Sequence, residues 1–396
     1  MNLFVIPSLY PSKTQPLAGI FTREQVEAVA ELYPDIKVIV STWGHDDGEF
    51  PVRQPWRTMS VLRWYLRQRP NQVRQVGGIW EAFNHALYWS HRLPFGGADR
   101  LIEANRLNIR LAFERFGKID LIHAHVSYPA GYVASILSRE FGIPYVLTEH
   151  MSPFPFPSLM RESKPLPEIT QAFANAAAAI AVSPALAKRI VSFGYREPVV
   201  IPNAVDERLF SPGEPSSEKF VFFTLCGLTD QKGIDHLLEA IALWNPPADR
   251  FEFRIGGDGP MRAAYQAMAE RLGVADRVKW LGRVSREEAP ALFRACHVYV
   301  MPSRHETFGV VYAEAIASGK PVIATRCGGP ESIVNEANGR LVDVGDIGGL
   351  GDAMKDVAAH WDRFDQAAIR RDFERRFSRP AMVGQLRALY ETVVRG

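Results

Sequence analysis

Short runs of β-branched and aromatic residues alternate with helical stretches along nearly the whole chain. In the first half, the runs that indicate strands are residues 3–6, 37–41, 121–124, 145–148 and 179–182. In the second half, they are residues 220–225, 251–255, 278–281, 298–301 and 321–324. Strands that alternate with helices are typical of a parallel sheet with crossover connections. The pattern therefore predicts an α/β protein with two doubly wound, Rossmann-like domains.

The two series of strands are separated by a segment rich in proline, glycine and serine, which is typical of a linker. We therefore expect one domain over residues 1–197 and a second over residues 198–378, facing each other across a central cleft. A terminal helix over residues 379–396 places four apolar side chains on one side: Val383, Leu386, Leu389 and Tyr390. Because open α/β sheets bind ligands at the carboxyl ends of their strands, functional motifs are expected where a strand ends.

Composition narrows the class of protein. The 396 residues are 47% hydrophobic and 23% charged, which excludes a disordered, fibrous or disulfide-stapled chain. The 46 basic and 44 acidic residues give a net charge of +2, which argues against a nucleic-acid-binding protein. The three cysteines are far apart and lack metal-ligand spacing, which favours a reducing, cytoplasmic compartment. Neither a signal peptide nor a membrane span is expected, since the apolar runs are too short or too rich in alanine.

The clearest functional signal follows the predicted strand 298–301. Glu306 lies in the loop after this strand, Gly309 opens a helix, and Glu314 lies in its second turn. The free N–H groups at the start of a helix suit a phosphate or diphosphate. Carboxylates beside an anion would instead accept hydrogen bonds from hydroxyls, so a sugar and a ribose would fit on either side. The alternative is that Glu306 only caps the helix and Glu314 only faces solvent.

Two weaker signals follow neighbouring strands. Lys232 comes shortly after strand 220–225 and could neutralise a diphosphate, although a solvated surface lysine is the alternative. Gly257 follows strand 251–255 in a glycine-rich turn, where an ordinary tight turn is the alternative. Neither a Walker loop nor a GxGxxG motif with a downstream acid is present, which argues against a P-loop ATPase and a nicotinamide dehydrogenase.

In the first domain, Gly19 precedes a helix and two histidines end the strand 121–124. Alternation along a strand places His123 and His125 on the same side. A metal site is not predicted, since the only further ligand in view is His150.

The order of these motifs resembles the retaining glycosyltransferases of family 4, which have the GT-B fold. The matching segments cover nearly the whole chain: Pro16-Leu-Ala-Gly-Ile-Phe, His123-Ala-His, Ile201-Pro-Asn-Ala-Val-Asp, Lys232-Gly, Gly257-Asp-Gly-Pro, Leu281-Gly-Arg-Val, Glu306 with Glu314, and Gly328-Gly-Pro-Glu. The resemblance implies a first domain on the acceptor side, a second that binds the nucleotide sugar, and a terminal helix that returns to the first domain.

The resemblance also implies roles for individual residues. Glu306 would hold donor-sugar hydroxyls, Glu314 the ribose, and Lys232 the diphosphate, together with the backbone of the segment Phe308, Gly309, Val310 and Val311. The remaining donor contacts would come from Gly19, Gly257, Arg283 and Val284, the last two through their backbone at the base. His125 would lie near the transferring sugar. Asn203, His150 and Arg304 are further candidates for the cleft.

Two positions depart from the family pattern. Gly227 stands where the family usually has an arginine, a second cation for the diphosphate, and Arg304 is a candidate replacement. Ala204 stands where the family has a glycine, so a left-handed backbone at this residue would carry strain.

These features predict a retaining, metal-independent hexosyltransferase that uses a UDP- or GDP-linked sugar and needs no cofactor beyond this donor. The acceptor would be a glycan or lipid-linked glycan in cell-surface polysaccharide or lipopolysaccharide biosynthesis. Because the sequence identifies no carboxylate nucleophile, we expect front-face attack assisted by the departing phosphate. The alternatives are a non-catalytic nucleotide-sugar-binding protein, or an epimerase or phosphorylase of the same fold.

A basic stretch lies in the first domain, at about residues 50–80. Residues 53–74 contain six arginines and no acidic residue: Arg53, Arg57, Arg63, Arg67, Arg69 and Arg74. The apolar residues Met59, Leu62, Tyr65 and Leu66 recur at helical spacing, with Trp56 and Trp64 nearby. This pattern is typical of an amphipathic helix on an anionic membrane, here the cytoplasmic face of the inner membrane. The alternative is a helix whose apolar face packs on the first domain.

Overall fold

The computed structural model describes residues 1–48, 56, 58–87 and 97–396, which divide into two compact units. The first comprises Met1–Val182, Ala187–Ile201 and Met382–Gly396, and the second comprises Ser183–Leu186 and Pro202–Ala381. The expected boundary at 197/198 lies close to the observed boundary at 201/202.

The first unit contains a large sheet with helices between its strands. Its strands are β1 (Asn2–Pro7), β2 (Lys37–Thr42), β3 (Gln72–Val76), β4 (Ile79–Phe83), β5 (Leu121–His125), β6 (Tyr145–Glu149), β7 (Met160–Arg161), β8 (Lys164–Pro165), β9 (Ala178–Ala181) and β10 (Val199–Val200). Its helices are α1 (Ile20–Leu32), α2 (Thr58–Arg67), α3 (Ala98–Phe116), α4 (Tyr132–Phe141) and α5 (Pro167–Ala174). A sixth helix, α6 (Pro184–Val191), contains residues of both units.

The second unit repeats the strand–helix alternation. Its strands are β11 (Phe220–Leu225), β12 (Phe251–Gly256), β13 (Val278–Gly282), β14 (Val298–Met301), β15 (Val322–Thr325) and β16 (Gly339–Val342). Its helices are α7 (Ile234–Trp244), α8 (Arg262–Arg271), α9 (Ala289–Ala295), α10 (Val310–Ala317), α11 (Ile347–Ala359) and α12 (Gln366–Arg376). The last helix, α13 (Arg379–Arg395), begins in the second unit, and its residues from Met382 onward belong to the first.

Both sheets have the doubly wound order that the alternation predicts. Among the described residues, the first sheet runs β10-β9-β6-β5-β1-β2-β4-β3, and every pair is parallel except β3 with β4. The second sheet runs β13-β12-β11-β14-β15-β16 and is parallel throughout. The predicted α/β class with two parallel-sheet units is therefore confirmed. In the second unit, this order brings the loops after β11, β12, β13 and β14 to one edge of the sheet.

The helix that the apolar spacing predicts in the basic stretch, between Pro55 and Pro70, is confirmed, whereas the strands that follow it were not predicted. Of the expected segment at residues 50–80, the helix α2 covers Thr58–Arg67, and β3 and β4 then form an antiparallel hairpin at the edge of the first sheet. The turn between them is Gly77-Gly78, a dipeptide that commonly connects hairpin strands and that the helix-based interpretation overlooked. Arg74 lies on β3 and pairs with Glu81 on β4, so its charge is already balanced. Arg53 and Arg57 lie outside the described residues.

The helix α2 divides its side chains between the protein and solvent. Val61 is buried, Tyr65 meets His85 edge-on with 4.1 Å between ring centroids, and Trp64 packs against Gly44. Met59 and Leu66 are 59% and 80% exposed, so the apolar residues of α2 do not all pack on the protein. Among the described residues, no helix has both the length and the apolar character needed to cross a bilayer.

Candidate active site

Glu306 and Lys232 form an ion pair at the carboxyl edge of the second sheet. Glu306 lies in the loop between β14 and α10, and its Oε1 accepts hydrogen bonds from Lys232 Nζ at 2.6 Å and Ser303 Oγ at 2.9 Å. The carboxylate side chain is 8% exposed and the lysine side chain 22%. The sequence predicted both residues, but it gave no indication that Ser303 would orient the carboxylate. Glu306 is thus a buried, paired carboxylate.

The loop that carries Glu306 is held by the next loop of the sheet. Glu306 pairs with Gly328 in a parallel bridge, and its carbonyl accepts a hydrogen bond of 2.7 Å from the Gly329 N–H. A side chain at Gly329 could not fit, because its Cβ would lie 2.3 Å from the Phe308 carbonyl oxygen. The Gly328-Gly329 segment therefore braces the Glu306 loop through backbone contacts.

The helix α10 begins directly after this loop. Gly309 adopts a left-handed backbone with φ of 87°, and α10 then runs from Val310 to Ala317. The first amides of a helix have no partner within it, so the N–H groups of Val310 and Val311 are available to an anion. Phe308 is buried and packs edge-on against Phe377, with 5.8 Å between ring centroids, which fixes the start of the helix.

Glu314, on the second turn of α10, has a partner that the sequence did not indicate. Arg286, in the loop after β13, donates a hydrogen bond from Nη1 to Glu314 Oε1. Burial raises the pKa of Glu314, and the charge of Arg286 opposes this rise. Arg286 and Glu314 are far apart in the chain, and no spacing rule connects them. The nearest residues that the sequence analysis singled out were Arg283 and Val284.

The Lys232 segment is fixed by a close backbone contact. A short 3-10 turn, Asp230–Lys232, ends at Gly233, which has φ of 65° and opens α7. A Cβ at Gly233 would lie 2.0 Å from the carbonyl oxygen of Pro302, at the end of β14. Only glycine permits this approach, which brings Lys232 to the Glu306 loop.

The glycine-rich turn after β12 packs against the loop after β11. The Gly257 N–H donates to the Gly282 carbonyl at 2.7 Å, and a Cβ at Gly257 would lie 1.8 Å from the Cys226 carbonyl oxygen. Val284 lies against Gly256, and Arg283 is exposed beside it. The predicted donor-binding segments around residues 257 and 283 are thus adjacent in the second unit.

The predictions for three further residues can be compared with their surroundings. Arg304 donates hydrogen bonds to the Asp230 carbonyl at 2.6 Å and to Asp235 on α7 at 2.9 Å, so a carboxylate already balances its charge. Asn203 is buried in the second unit. The neighbouring Ala204 is not among the residues with positive φ, so the strain expected there from a left-handed backbone is absent.

In the first unit, three histidines form a row, of which His123 and His125 are fully buried and His150 is partly exposed. His125 Nδ1 lies 3.1 Å from His150 Nε2, and His123 bonds to Thr148 Oγ1 and to the Tyr390 hydroxyl, both at 2.7 Å. Burial lowers the pKa of His125 to about 3 and lowers the pKa values of His123 and His150 well below their usual range. These histidines are therefore neutral, and His125 Nε2 has no hydrogen-bond partner among the described residues.

Two further contacts complete the histidine row. Phe21 packs against His150 with 4.4 Å between ring centroids and the rings tilted by 36°. Phe21 lies in the first turn of α1, and the N-cap of this helix is Gly19. A Cβ on Gly19 would lie 2.1 Å from the Leu9 carbonyl oxygen, so glycine is needed for this packing. Sequence reasoning identified Gly19 and the histidines, and it named Phe21 in a motif and Tyr390 on the terminal helix without predicting their contacts with the histidines.

The predicted residues thus fall into two groups, one on each unit. The second unit combines a cation, two buried carboxylates and a helix N-terminus, which together suit an anion flanked by hydroxyl groups. The first unit presents neutral imidazoles, which exchange hydrogen bonds with hydroxyls. Within the ranges that the structure describes, no cluster of three or more histidine, cysteine, aspartate or glutamate side chains could hold a metal ion.

Comparison with known proteins agrees with this arrangement. The family described as Glycosyltransferase Family 4 matches residues 18–209, and the family described as Glycosyl transferases group 1 matches residues 205–371. An uncharacterized glycosyltransferase of Methanocaldococcus jannaschii is 30% identical over 304 residues, which cover 76% of this chain and 83% of the relative. The Bacillus subtilis glycosyltransferase TuaC, named for teichuronic acid biosynthesis, is 26% identical over 355 residues, which cover 86% of this chain and 85% of TuaC.

A solved structure shows the same fold. HepE of Anabaena, determined in complex with UDP, superposes with a TM-score of 0.72 at 21% identity and covers 99% of this chain and 100% of HepE. Together with the two family matches, which follow one another along the chain, these similarities show that the protein is a glycosyltransferase of family 4 with the GT-B fold.

Proposed function

We propose that this glycosyltransferase moves a hexosyl group, with retention of anomeric configuration, from a nucleoside-diphosphate sugar to a glycan or lipid-linked glycan. The observation that carries the proposal is the set of groups at one edge of the second sheet. Lys232 pairs with Glu306 at 2.6 Å, the helix α10 starts four residues after Glu306, and Glu314 lies buried on that helix. In this proposal, Lys232 and the α10 amides bind the diphosphate, Glu306 the sugar, and Glu314 the ribose.

The charges of the second unit support this assignment. When the bond between sugar and nucleotide breaks, negative charge develops on the diphosphate. A preorganised ammonium and the positive end of a helix stabilise such charge without reorganisation of solvent. Lys232 is already oriented by Glu306 and by the Gly233 backbone, so binding requires little further ordering of its side chain. We therefore expect turnover to persist when a chelator removes divalent metal ions.

The stereochemistry follows from the roles of the two carboxylates. Glu306 and Glu314 are assigned to hydroxyls, and neither is assigned to attack the anomeric carbon. The proposal is therefore front-face attack, in which the departing phosphate accepts the proton of the acceptor hydroxyl. His125, neutral and with Nε2 unpartnered, would hold a hydroxyl of the transferring sugar. Trapping a covalent glycosyl-enzyme during turnover would contradict this mechanism.

The substrate class is proposed from the relatives. HepE was determined with UDP, and TuaC is named as a putative glycosyltransferase of teichuronic acid biosynthesis. By similarity, we propose a UDP- or GDP-linked hexose as donor and a role in cell-surface polysaccharide or lipopolysaccharide assembly.

A panel assay tests the proposal. The purified protein is incubated with UDP-, GDP- and ADP-hexoses, with and without a membrane lipid extract, and released nucleotide and new glycan are measured. Nucleotide release that depends on the extract is expected, together with an α-linked product from an α-linked donor. Conversion of the donor without any acceptor would instead indicate an epimerase. Binding without release would indicate a nucleotide-sugar-binding protein, the alternative that Gly227 favours.

We also propose that α2 brings the enzyme to an anionic membrane surface, at the cytoplasmic face of the inner membrane. Along α2, the positions of Met59, Arg63, Leu66 and Arg67 lie on one side, because three- and four-residue spacings repeat on one helix face. All four are exposed, and Trp56 just before the helix is 76% exposed. Mixed basic and apolar side chains on one helix face are typical of contact with anionic lipid.

Flotation with liposomes tests the membrane contact. At low salt, the protein should float with vesicles that contain anionic phosphatidylglycerol but not with neutral phosphatidylcholine vesicles. The double substitution Arg63→Glu and Leu66→Glu should abolish flotation while leaving nucleotide binding intact. Arg110→Glu on α3 is the matched control, since Arg110 is also exposed. Equal flotation of the α2 variant and wild type would remove α2 from the proposal.

A further inference from the structure

The contact between Arg286 and Glu314 joins two segments of the second unit. Arg286 lies in the loop that follows β13, three residues after Arg283, and Glu314 lies on α10. The Arg286 guanidinium donates to Glu314 Oε1, and its Cζ lies 4.9 Å from the centroid of the buried Phe210 ring. An arginine held on both sides in this way has little freedom to move, so it fixes the position of the carboxylate.

The carboxylate needs such a partner because of its burial. The Glu314 side chain is only 4% exposed, and the Arg286 side chain is 22% exposed. An isolated carboxyl group in this environment becomes neutral at higher pH than in water, because burial disfavours the charged form. Burial raises the pKa of Glu314, and among the described residues the charge and the hydrogen bond of Arg286 oppose this rise.

The charge state of Glu314 decides what it can bind. An ionised carboxylate offers about four acceptor positions, so one bond from arginine leaves room for two hydroxyl donors. A protonated carboxyl group is itself a donor and accepts less well. A vicinal diol, such as the 2′- and 3′-hydroxyls of a ribose, is therefore matched by the ionised form and not by the neutral one.

We propose that Arg286 is a positioning residue for the nucleotide: Arg286 holds Glu314 as an oriented carboxylate, so that the site selects a ribose over a 2′-deoxyribose. This inference rests on the proposed assignment of Glu314 to the ribose. It adds a residue that acts through Glu314 and a specificity that depends on it. It also links the loop assigned to the base with the helix assigned to the ribose and diphosphate.

The pH dependence of binding follows from the groups around Glu314. Arg286 pairs with it from the loop after β13, and the Glu314 charge adds to the burial that raises the pKa of Tyr299 on β14 and keeps this phenol neutral. Removing Arg286 leaves burial unopposed, so Glu314 takes up a proton at higher pH than in the wild type. Nucleotide affinity in an Arg286→Gln variant should therefore fall as pH is lowered, over a range in which wild-type affinity changes less.

Calorimetric titration with UDP and GDP, each in its ribo and 2′-deoxy form, tests the proposal at pH 8 and pH 6. For the nucleotide that binds, Arg286→Gln should weaken affinity about tenfold at pH 8, the usual scale for a lost charged hydrogen bond. The loss of affinity should be larger at pH 6, and the ratio of the affinities for the ribo and 2′-deoxy forms should fall toward one. The terminal phosphate of the nucleotide also titrates, but it does so equally for all variants. The ratio of variant to wild-type affinity at each pH therefore reports only the titration of the protein.

Two further variants make the result decisive. Glu314→Gln should lose the ribose preference and show no extra loss of affinity at pH 6, because no carboxyl group remains at position 314. The double variant Arg286→Gln with Glu314→Gln should bind as Glu314→Gln does, since Arg286 acts through Glu314. This double variant also contains no unpaired buried charge, so it provides the test if Arg286→Gln alone fails to fold. Arg340→Gln, which removes another paired arginine of the same unit, is the control.

The possible failures are distinguishable. If Arg286→Gln keeps the wild-type affinity, pH profile and ribose preference, the proposed role of Arg286 is overturned, while the assignment of Glu314 to the ribose is not affected. A double variant much weaker than Glu314→Gln would also overturn the role of Arg286, because Arg286 would then act independently of Glu314. An unchanged Glu314→Gln variant would overturn the ribose assignment, and a wild type that binds no nucleoside diphosphate would overturn the proposed function with it.

Discussion

At the scale of single residues, the Lys232–Glu306 pair has both a structural and a proposed catalytic role, and substitutions can separate them. Lys232→Met should abolish transfer and destabilise the fold by about 1–3 kcal/mol, because it leaves a buried carboxylate without its cation. Adding Glu306→Gln should restore most of the stability but none of the activity. Chemical denaturation and the nucleotide-release assay measure the two effects. Restored activity in the double variant would remove Lys232 from the proposed mechanism.

Gly227 offers the opposite experiment, a gain of function. A Cβ at Gly227 would meet no atom within 4 Å, so the protein has space for a side chain where the family usually has an arginine. If the diphosphate binds beside Lys232, Gly227→Arg should tighten donor binding severalfold by adding a second cation. Gly227→Gln is the neutral control of similar length. Equal affinity of the two variants would indicate that this position does not face the diphosphate.

Which site residues could be predicted depends on how local their signal is. Glu306, Gly309 and Glu314 lie within a few residues of a predicted strand end, so a short segment revealed them. Arg286 reaches Glu314 only because β13 and α10 lie in one unit, and Tyr390 reaches His123 only through the last helix. Contacts of this kind depend on the tertiary structure, and residue type and spacing do not encode them.

At the scale of secondary-structure elements, the starts of α7 and α10 each depend on a glycine with a left-handed backbone. Gly233→Ala should destabilise the protein by about 1–3 kcal/mol, because its Cβ would collide with the Pro302 backbone as well as strain the residue. It should also weaken nucleotide binding, since it displaces Lys232. Gly227→Ala, in open space in the same loop, is the matched control and should change thermal stability little. Similar melting temperatures for both variants would contradict the packing argument.

Strands were predicted best where they lie in the centre of a sheet. The central strand β11 has the predicted bounds, because both of its faces are buried and its sequence, Phe-Val-Phe-Phe-Thr-Leu, is apolar except for Thr224. The edge strand β13 was predicted to within one residue, but the inner strand β4 and the edge strands β3 and β16 were missed. The sequences of β3 and β16, Gln-Val-Arg-Gln-Val and Gly-Arg-Leu-Val, are short and partly polar, and their pairing depends on a neighbouring strand. Hydrophobic periodicity detects burial, and an edge strand has little of it.

At the scale of the whole molecule, buried neutral histidines couple stability to pH. Four histidines have a pKa lowered by burial to about 3 or well below its usual range: His45, His123, His125 and His150. In the unfolded chain, each would titrate near pH 6.5. Below that pH, the unfolded state binds protons that the folded state does not, so stability falls with decreasing pH. Each such histidine contributes a slope of about 1.4 kcal/mol per pH unit between the two pKa values.

Two buried carboxyls act in the opposite direction. Burial raises the pKa values of Glu149 and Glu314, so their protonation on acidification favours the folded state and reduces the net slope. A comparison of variants separates the two effects. His123→Asn should reduce the slope of unfolding free energy between pH 6 and pH 5 by about 1.4 kcal/mol per pH unit, measured by denaturant titration at each pH. If His123→Asn keeps the wild-type slope, His123 is not buried as a neutral group. The histidine row would then have to be charged when folded, which would alter its proposed contacts with the sugar.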